Sequence, residues 1–244
     1  MMRPSLRRRL AALTCSVVAG ATHAAEIDTL NLLTPDEFRL LSEDIGALLS
    51  YKPLIPSEPL GITGFDIAIA VTGTELENRE IWRKLTLGSD SVPSVLPLVG
   101  ARVHKGLPFD IDVGVGYAAV PDSNVRLASG ELRWAVIAGG TLVPAVALRV
   151  SASRMSGVDE LDARTLGYDV SISKGFANFT PYAGVGRVDV KTTPKGAPLL
   201  SRQEFGLNKV YAGINIALVP FALLIEADRT GDATSYGVKF GVRF

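Results

Sequence analysis

The chain has one cysteine and two histidines in 244 residues. Cys15 and His23 both fall within the first 24 residues, which have the character of an export signal. Without that segment no thiol remains, so disulfides and thiolate chemistry are excluded. His104 is then the one imidazole, too few for a transition-metal site. Long apolar runs are also missing. No stretch of about 20 apolar residues occurs, which excludes helical membrane spans. Neither GxGxxG nor a GxxxxGK[ST] phosphate loop is present, so no cofactor is expected. A surplus of positive charge is absent too, with 25 basic and 25 acidic residues. Removing Arg3, Arg7, Arg8 and Arg9 with the signal leaves 21 basic against 25 acidic residues, about −4. No basic tract remains for nucleic acid.

Residues 1–24 read as a secretory signal peptide. Arg3 to Arg9 form the basic region, Leu10 to Val18 the apolar one, and Ala21 and Ala24 offer cleavage sites. Cys15 invites a lipoprotein reading. Thr14 in place of a small residue before it, and the short apolar run, speak against that.

What the chain has in plenty is alternation. Tyr236, Val238, Phe240, Val242 and Phe244 share one face of the last segment, while Gly237, Lys239, Gly241 and Arg243 share the other. Period two is the mark of a strand with one apolar and one polar face. Ten such strands are expected near 63–74, 94–104, 109–120, 126–138, 144–155, 164–174, 179–190, 205–218, 221–229 and 234–244. Each has about the length needed to cross a bilayer at a tilt. Connections after strands two, four, six and eight are tight, and those after one, three, five and seven are longer. Long outer loops and short periplasmic turns are expected of outer-membrane barrels. Phe65, Phe109, Phe179 and Phe221 open strands one, three, seven and nine. With Phe244 they would ring the periplasmic interface, with Tyr117, Tyr168 and Tyr236 toward the outer one. A lipocalin-like soluble barrel would place its apolar face inward, and the signal, the terminal Phe and the loop asymmetry argue against it. Strand two carries apolar residues at both parities, and a bulge in strand seven would explain why Val188 and Val190 switch.

One helix precedes the strands, over residues 31–50. Thr34 is a suitable N-cap, Pro35 suits the first position, and Glu37 completes a capping box. Phe38, Leu41, Ile45, Leu48 and Leu49 form its apolar stripe. The helix is expected to dock at the periplasmic mouth, and entry into the barrel as a plug is the alternative. Pro53, Pro56 and Pro59 make 51–60 an extended linker. The organisation is therefore a signal at 1–24, a periplasmic helix and linker at 25–60, and a transmembrane antiparallel β-barrel at 61–244, with both barrel ends and the mature N-terminus in the periplasm.

The inward parity carries Asp66, Arg102, Asp110, Asp112, Glu131, Arg133, Arg149, Asp169, Lys209, Glu226, Asp228, Lys239 and Arg243. Isolated charges in a narrow barrel are costly, so a paired network filling the lumen is one reading. A narrow polar conduit is the other, with room left by inward glycines at Gly114, Gly116, Gly130, Gly167, Gly237 and Gly241. Ten strands lie between barrels filled by side chains and those holding an aqueous channel. For catalysis, His104 with Asp110 and Asp112 is the one conceivable acid–base cluster, at the wrong end for an outward-facing site. Asp159, Glu160 and Asp162 read as a solvated loop rather than a Ca²⁺ site. Trp82, in the longest loop, is expected to cap the barrel or rest on the membrane.

The span 61–244 resembles Gram-negative outer-membrane β-barrel proteins, whose last strand typically ends in Phe. The stretches Pro59–Asp66, Lys105–Phe109, Ser173–Phe176, Thr180–Gly186 and Glu226–Asp232 also resemble a poorly characterised proteobacterial barrel family. The resemblance implies a place in the outer membrane, with its lipids and the barrel-assembly machinery as partners. It implies no activity and no site residues. A narrow channel or uptake protein for small or apolar molecules is the expectation. A non-transporting structural or surface-interaction barrel is the alternative, and an enzyme ranks last. Deleting Phe244, or placing Asp at Val238 in the lipid-facing row, is expected to impair assembly. The measurement is the yield of heat-modifiable barrel in outer-membrane fractions, and normal yield of both variants would count against the membrane assignment.

Overall fold

The computed structural model describes residues 30–85 and 92–244; the expected signal segment, with Cys15 and His23, lies outside them. After a short 3-10 turn at Leu30–Leu32 comes helix α1, Pro35–Leu49. Ten strands follow: β1 Phe65–Glu75, β2 Val95–Leu107, β3 Ile111–Ala119, β4 Arg126–Ile137, β5 Ala145–Ser156, β6 Leu161–Ser173, β7 Phe179–Pro194, β8 Gln203–Leu218, β9 Phe221–Thr230 and β10 Ala233–Arg243. Helix α2, Arg79–Leu85, stands in the β1–β2 connection.

Every strand pairs antiparallel with its chain neighbour, and β1 closes on β10, from Asp66 opposite Arg243 to Thr74 opposite Ser235. Closure removes the sheet edges, which a strand in lipid cannot leave unpaired. The exterior is apolar: Ile67, Ile69 and Val71 on β1, Val113 and Val115 on β3, and Leu148 and Val150 on β5 are all exposed. The interior is polar: Asp66, Asp112, Arg133, Glu226 and Lys239 are buried. A water-soluble barrel has the opposite arrangement, so this is a membrane-spanning barrel. Tyr236, Val238, Phe240 and Phe244 point outward as expected. Phe65 meets Phe244 with ring centroids 5.7 Å apart, and Phe221 stacks on Phe240 at 5.6 Å.

The barrel has two distinct ends. Phe65, Phe244 and the short turns define the turn end. The β1–β2, β3–β4, β5–β6, β7–β8 and β9–β10 connections lie at the other, the loop end. Helix α1 is buried inside the wall, against β5–β8 and β10, and it sits toward the loop end. Ser42 Oγ is 2.7 Å from Thr192 Oγ1, near the top of β7, and Thr165 on β6 donates to the Leu49 carbonyl at 3.3 Å. The chain then descends through the lumen as residues 50–60. Leu60 N–H reaches Asp112 at 3.1 Å, beside the turn end, where β1 begins.

This corrects the expected docking at the periplasmic mouth: α1 is a plug, and the first described residues lie at the end opposite Phe244. The reason is the stripe. Phe38, Leu41, Ile45 and Leu48 are all buried, and the lumen wall there is apolar to receive them. Leu96 and Leu98 face inward on β2 and join the cluster formed by the helix stripe, so that strand has apolar residues on both faces. Val188 and Val190 also face inward, and β7 pairs with β8 in continuous register from Phe179 to Thr192. The expected bulge in β7 is therefore absent; among the described strands the register shifts in β4, between Ala135 and Ile137. Two inward assignments also fail. Asp110 is exposed in the β2–β3 turn, where Phe109 and Asp110 both have positive φ, 66° and 57°. Gly130 alternates with the buried Glu131, so it faces outward. Gly46 is the point of closest approach: a Cβ there would lie 2.6 Å from Val190 Cγ2. Gly46→Leu should overpack the lumen and lower stability by about 1–3 kcal/mol, read as a drop in the temperature of the heat-modifiable gel shift. An unchanged temperature would argue against a seated helix.

Candidate functional site

The site to which the sequence pointed is the lumen, and the strap of residues 50–60 occupies it. The strap forms neither helix nor strand, turns at Leu54 with a positive φ of 49°, and has no backbone hydrogen bond within residues 51–60. Its N–H and C=O groups must therefore find partners on the wall. The wall supplies both kinds. Arg102 donates to the carbonyls of Lys52 and Pro53, and Arg133 to that of Pro56. Glu226 accepts from Leu54 N–H at 2.8 Å, and Asp112 accepts from Leu60 N–H. Ser57 donates through N–H to Ser173 Oγ and through Oγ to Ser171 Oγ, both at 2.9 Å.

Four ionic groupings surround this strap. Lys52 of the strap reaches Asp228 at 2.6 Å, and Lys209 reaches the same carboxylate at 3.3 Å. Asp66 is held by Lys239 and Arg243, each at 2.9 Å. Arg133 pairs with Asp112 at 2.5 Å. Arg149 lies 2.7 Å from Glu131 and 3.5 Å from Asp169, which also accepts from the Tyr211 hydroxyl at 2.6 Å. The Arg149–Glu131 contact is an ion pair by distance whose angle falls short of a hydrogen bond.

His104 is fully buried in the same network. Its Nε2 lies 3.2 Å from both Glu131 Oε1 and the Tyr51 hydroxyl, and its Nδ1 lies 3.9 Å from Asp66. Gly114 makes room for it: a Cβ there would meet the imidazole at 2.3 Å. Asp110, the other half of the conceivable acid–base cluster, is outside at the turn. The arrangement holds Tyr51 and two carboxylates in place and gives an incoming substrate no path to the imidazole.

All the lumen candidates except Asp110 are thus brought onto the inner wall. Missed from the sequence were Lys52, Tyr51, Tyr182 and Tyr211. Tyr182 and Tyr211 sit with ring centroids 6.4 Å apart, and Tyr182 donates to Glu226 at 2.6 Å. Their inward parity was readable from the alternation, and the glycines facing them were the signal. A Cβ at Gly184 would strike Tyr211 at 2.3 Å, and one at Gly213 would strike Tyr182 at 2.5 Å. The space left is small. A gap beside the strap, between Tyr51, Arg102, Thr72 and Ser153, is about 40 Å³, room for a few water molecules.

At the loop end α2 lies over α1. Trp82 is buried and donates from Nε1 to Asp44 at 2.8 Å, so it caps the barrel. Asn78 donates to the same carboxylate through N–H at 3.1 Å and Nδ2 at 3.0 Å. Lys84 pairs with Glu37. Burial pushes the Asp44 carboxyl above its usual range despite these donors. The Lys84 contact holds Glu37 below its own. The two have opposite signs. A raised carboxyl means the folded cap binds the proton more tightly, so Asp44 contributes most below its unfolded pKa and less as pH rises through the raised value. Glu37 contributes above its unfolded pKa, and its share is lost as pH falls. Asp44→Asn keeps an acceptor for Trp82 and removes only the first effect. Hydrogen exchange of the Trp82 indole is expected to speed up, as pH rises above the ordinary carboxylate range, more steeply in the native chain than in Asp44→Asn. Identical profiles would show that Asp44 does not titrate in the capped state.

No protein-family model matches the sequence, and no curated protein matches it. Among solved structures, the chain is similar to the N-terminal β-barrel domain of Pseudomonas aeruginosa OprF, with 12% identity over 73% of this chain and 97% of that one, at a TM-score of 0.36. The translocator domain of the autotransporter NalP from Neisseria meningitidis matches with 13% identity over 92% and 99%, at 0.35. The attachment invasion locus protein Ail of Yersinia pestis matches with 12% identity over 75% and 99%, at 0.33. The membrane assignment rests on this chain's own apolar exterior, its closed ten-strand barrel and its terminal strand.

Proposed function

We propose that this protein is a non-conducting outer-membrane barrel, held shut by its own N-terminal segment, which anchors and presents its loop end at the cell surface. The observation that supports it is the strap. Backbone groups and side chains of residues 50–60 bond to the wall at successive levels, from Lys52 with Asp228 down to Leu60 with Asp112. A diffusion pore needs a continuous wet path, and the wall charges that would line it are already paired or bonded to the strap.

The two longest connections, 76–94 with α2 and 195–202, both lie at the loop end, which supports placing that end outside. The packed cap of α2 on α1 then faces the surroundings of the cell. An uptake role for small or apolar molecules would require the plug to leave. That reading draws on the fact that the plug is a separate segment, joined to the wall through side chains and not through the sheet.

The deciding measurement is planar-bilayer conductance of the refolded chain with and without residues 25–60. The full chain is expected to be silent at moderate voltage. The shortened barrel, provided it shows the heat-modifiable mobility of a folded barrel, is expected to give discrete steps. Regular conductance from the full chain would overturn the closed reading and favour a gated conduit.

A further inference from the structure

One region of the exterior is not explained by the plug. Toward the loop end of β5–β8 the outward row changes from apolar to charged. Below the change lie Val150, Val170, Val185 and Val210, all exposed. Above it, Arg154 on β5 stands directly opposite Arg164 on β6, and Arg164 stands directly opposite Lys191 on β7. Like charges at opposed positions destabilise an antiparallel pair, and here three cations stand in a row.

The nearby carboxylates are already engaged. Asp162 holds Arg154 at 3.1 Å. Glu204 holds Lys191 at 2.9 Å and also pairs with Arg202. Asp189 lies 3.5 Å from Arg187 and accepts from the Tyr168 hydroxyl. The guanidinium of Arg164, in the middle of the row, has no ion pair or side-chain hydrogen bond among the described residues. Five cations therefore meet three carboxylates, and the unmatched guanidinium is at the centre.

The row borders a groove of about 700 Å³ on the exterior. Ala152 and Gly206 keep it open, Leu166 lines its side toward the apolar band, and Arg164 and Lys191 line it together with the engaged carboxylates of Asp189 and Glu204. The Arg187 guanidinium lies over Gly206, 2.3 Å from where a Cβ would stand. A volume of this size suits a drug-sized molecule and exceeds what a lone phosphate fills. Its lower edge continues into the lipid-facing surface, so whatever occupies it belongs to the leaflet.

We propose that this groove binds the phosphate-bearing headgroup of an outer-leaflet glycolipid, with a phosphate on Arg164 between Arg154 and Lys191 and the acyl chains along the apolar band. Guanidinium is suited to phosphate because its planar fork matches two oxygens at once. The proposal rests on the membrane placement and on the loop end facing outward, not on the lumen being shut.

The test uses the full chain refolded in detergent and titrated by native mass spectrometry. The probes are diphosphorylated lipid A, the same lipid with its phosphates removed, and phosphatidylglycerol. Diphosphorylated lipid A is expected to bind, and each of the other two to bind at least about tenfold more weakly. The double variant Arg164→Gln, Lys191→Gln should lose at least about tenfold in lipid A affinity. Arg229→Gln, an exposed cation on β9, should lose none. Heat-modifiable mobility checks that each variant is folded. Equal binding of the dephosphorylated lipid, equal binding of phosphatidylglycerol, or full affinity in the double variant would each overturn the proposal. The plug stays in place throughout, so a conducting lumen would not alter the result.

Discussion

Everything inside this barrel follows from the cost of an unpartnered charge or peptide group away from water. Breaking one side of a buried ion pair typically costs about 3–5 kcal/mol, which is comparable to the whole stability of a small domain. The inner wall carries groups of both signs at matched heights, and the strap carries peptide groups that cannot bond to one another. Each solves the other's problem. Arginines Arg102 and Arg133 have several donors each and take the strap's carbonyls. Carboxylates such as Glu226 and Asp112 take its N–H groups. The prolines reduce the demand further, because Pro53, Pro56 and Pro59 have no N–H to satisfy. Lys52 adds a cation where Asp228 would otherwise share one lysine.

The lumen is divided by the same logic. Its loop-end half carries apolar side chains such as Leu96, Leu98 and Val190 beside a few hydroxyls, and holds an amphipathic helix mainly by packing. Its turn-end half is lined with charges and holds an extended chain by hydrogen bonds. The helix could not sit in the lower half, where its stripe would face Asp66, Lys239 and Arg133.

The wall was legible in the sequence because a strand's period of two shows in every residue. The ten observed strands begin and end within about three residues of those expected over most of the chain, and the lumen row came with them. What was not legible came from contacts between distant segments. Asp110 continues the alternation in sequence, but the chain turns at Phe109 with a positive φ and leaves it outside. Val188 and Val190 keep strict register while their chemistry changes from polar to apolar. Chemistry without context made that a slip in register. Together with the double-faced β2 it was the signal of a plug, because an inward apolar patch in a polar lumen needs an apolar occupant. Tyr51 and Lys52 were read as linker, since nothing local distinguishes a strap bonded to a wall from one in solvent.

The two fastenings also differ in how they can be undone. The strap is covalently continuous with β1 at the turn end, so the plug has no free end there. Release toward the loop end requires α2 to lift first, because Trp82 and Asn78 both hold Asp44. It also requires Lys52 to leave Asp228 and rise past the apolar half, where no carboxylate on the described wall receives it. A buried ammonium moved through an apolar passage is strongly disfavoured. Lifting the cap alone would therefore expose the top of α1 without opening a path. The ionic contacts of the strap, and not the cap alone, therefore hold the plug in the lumen.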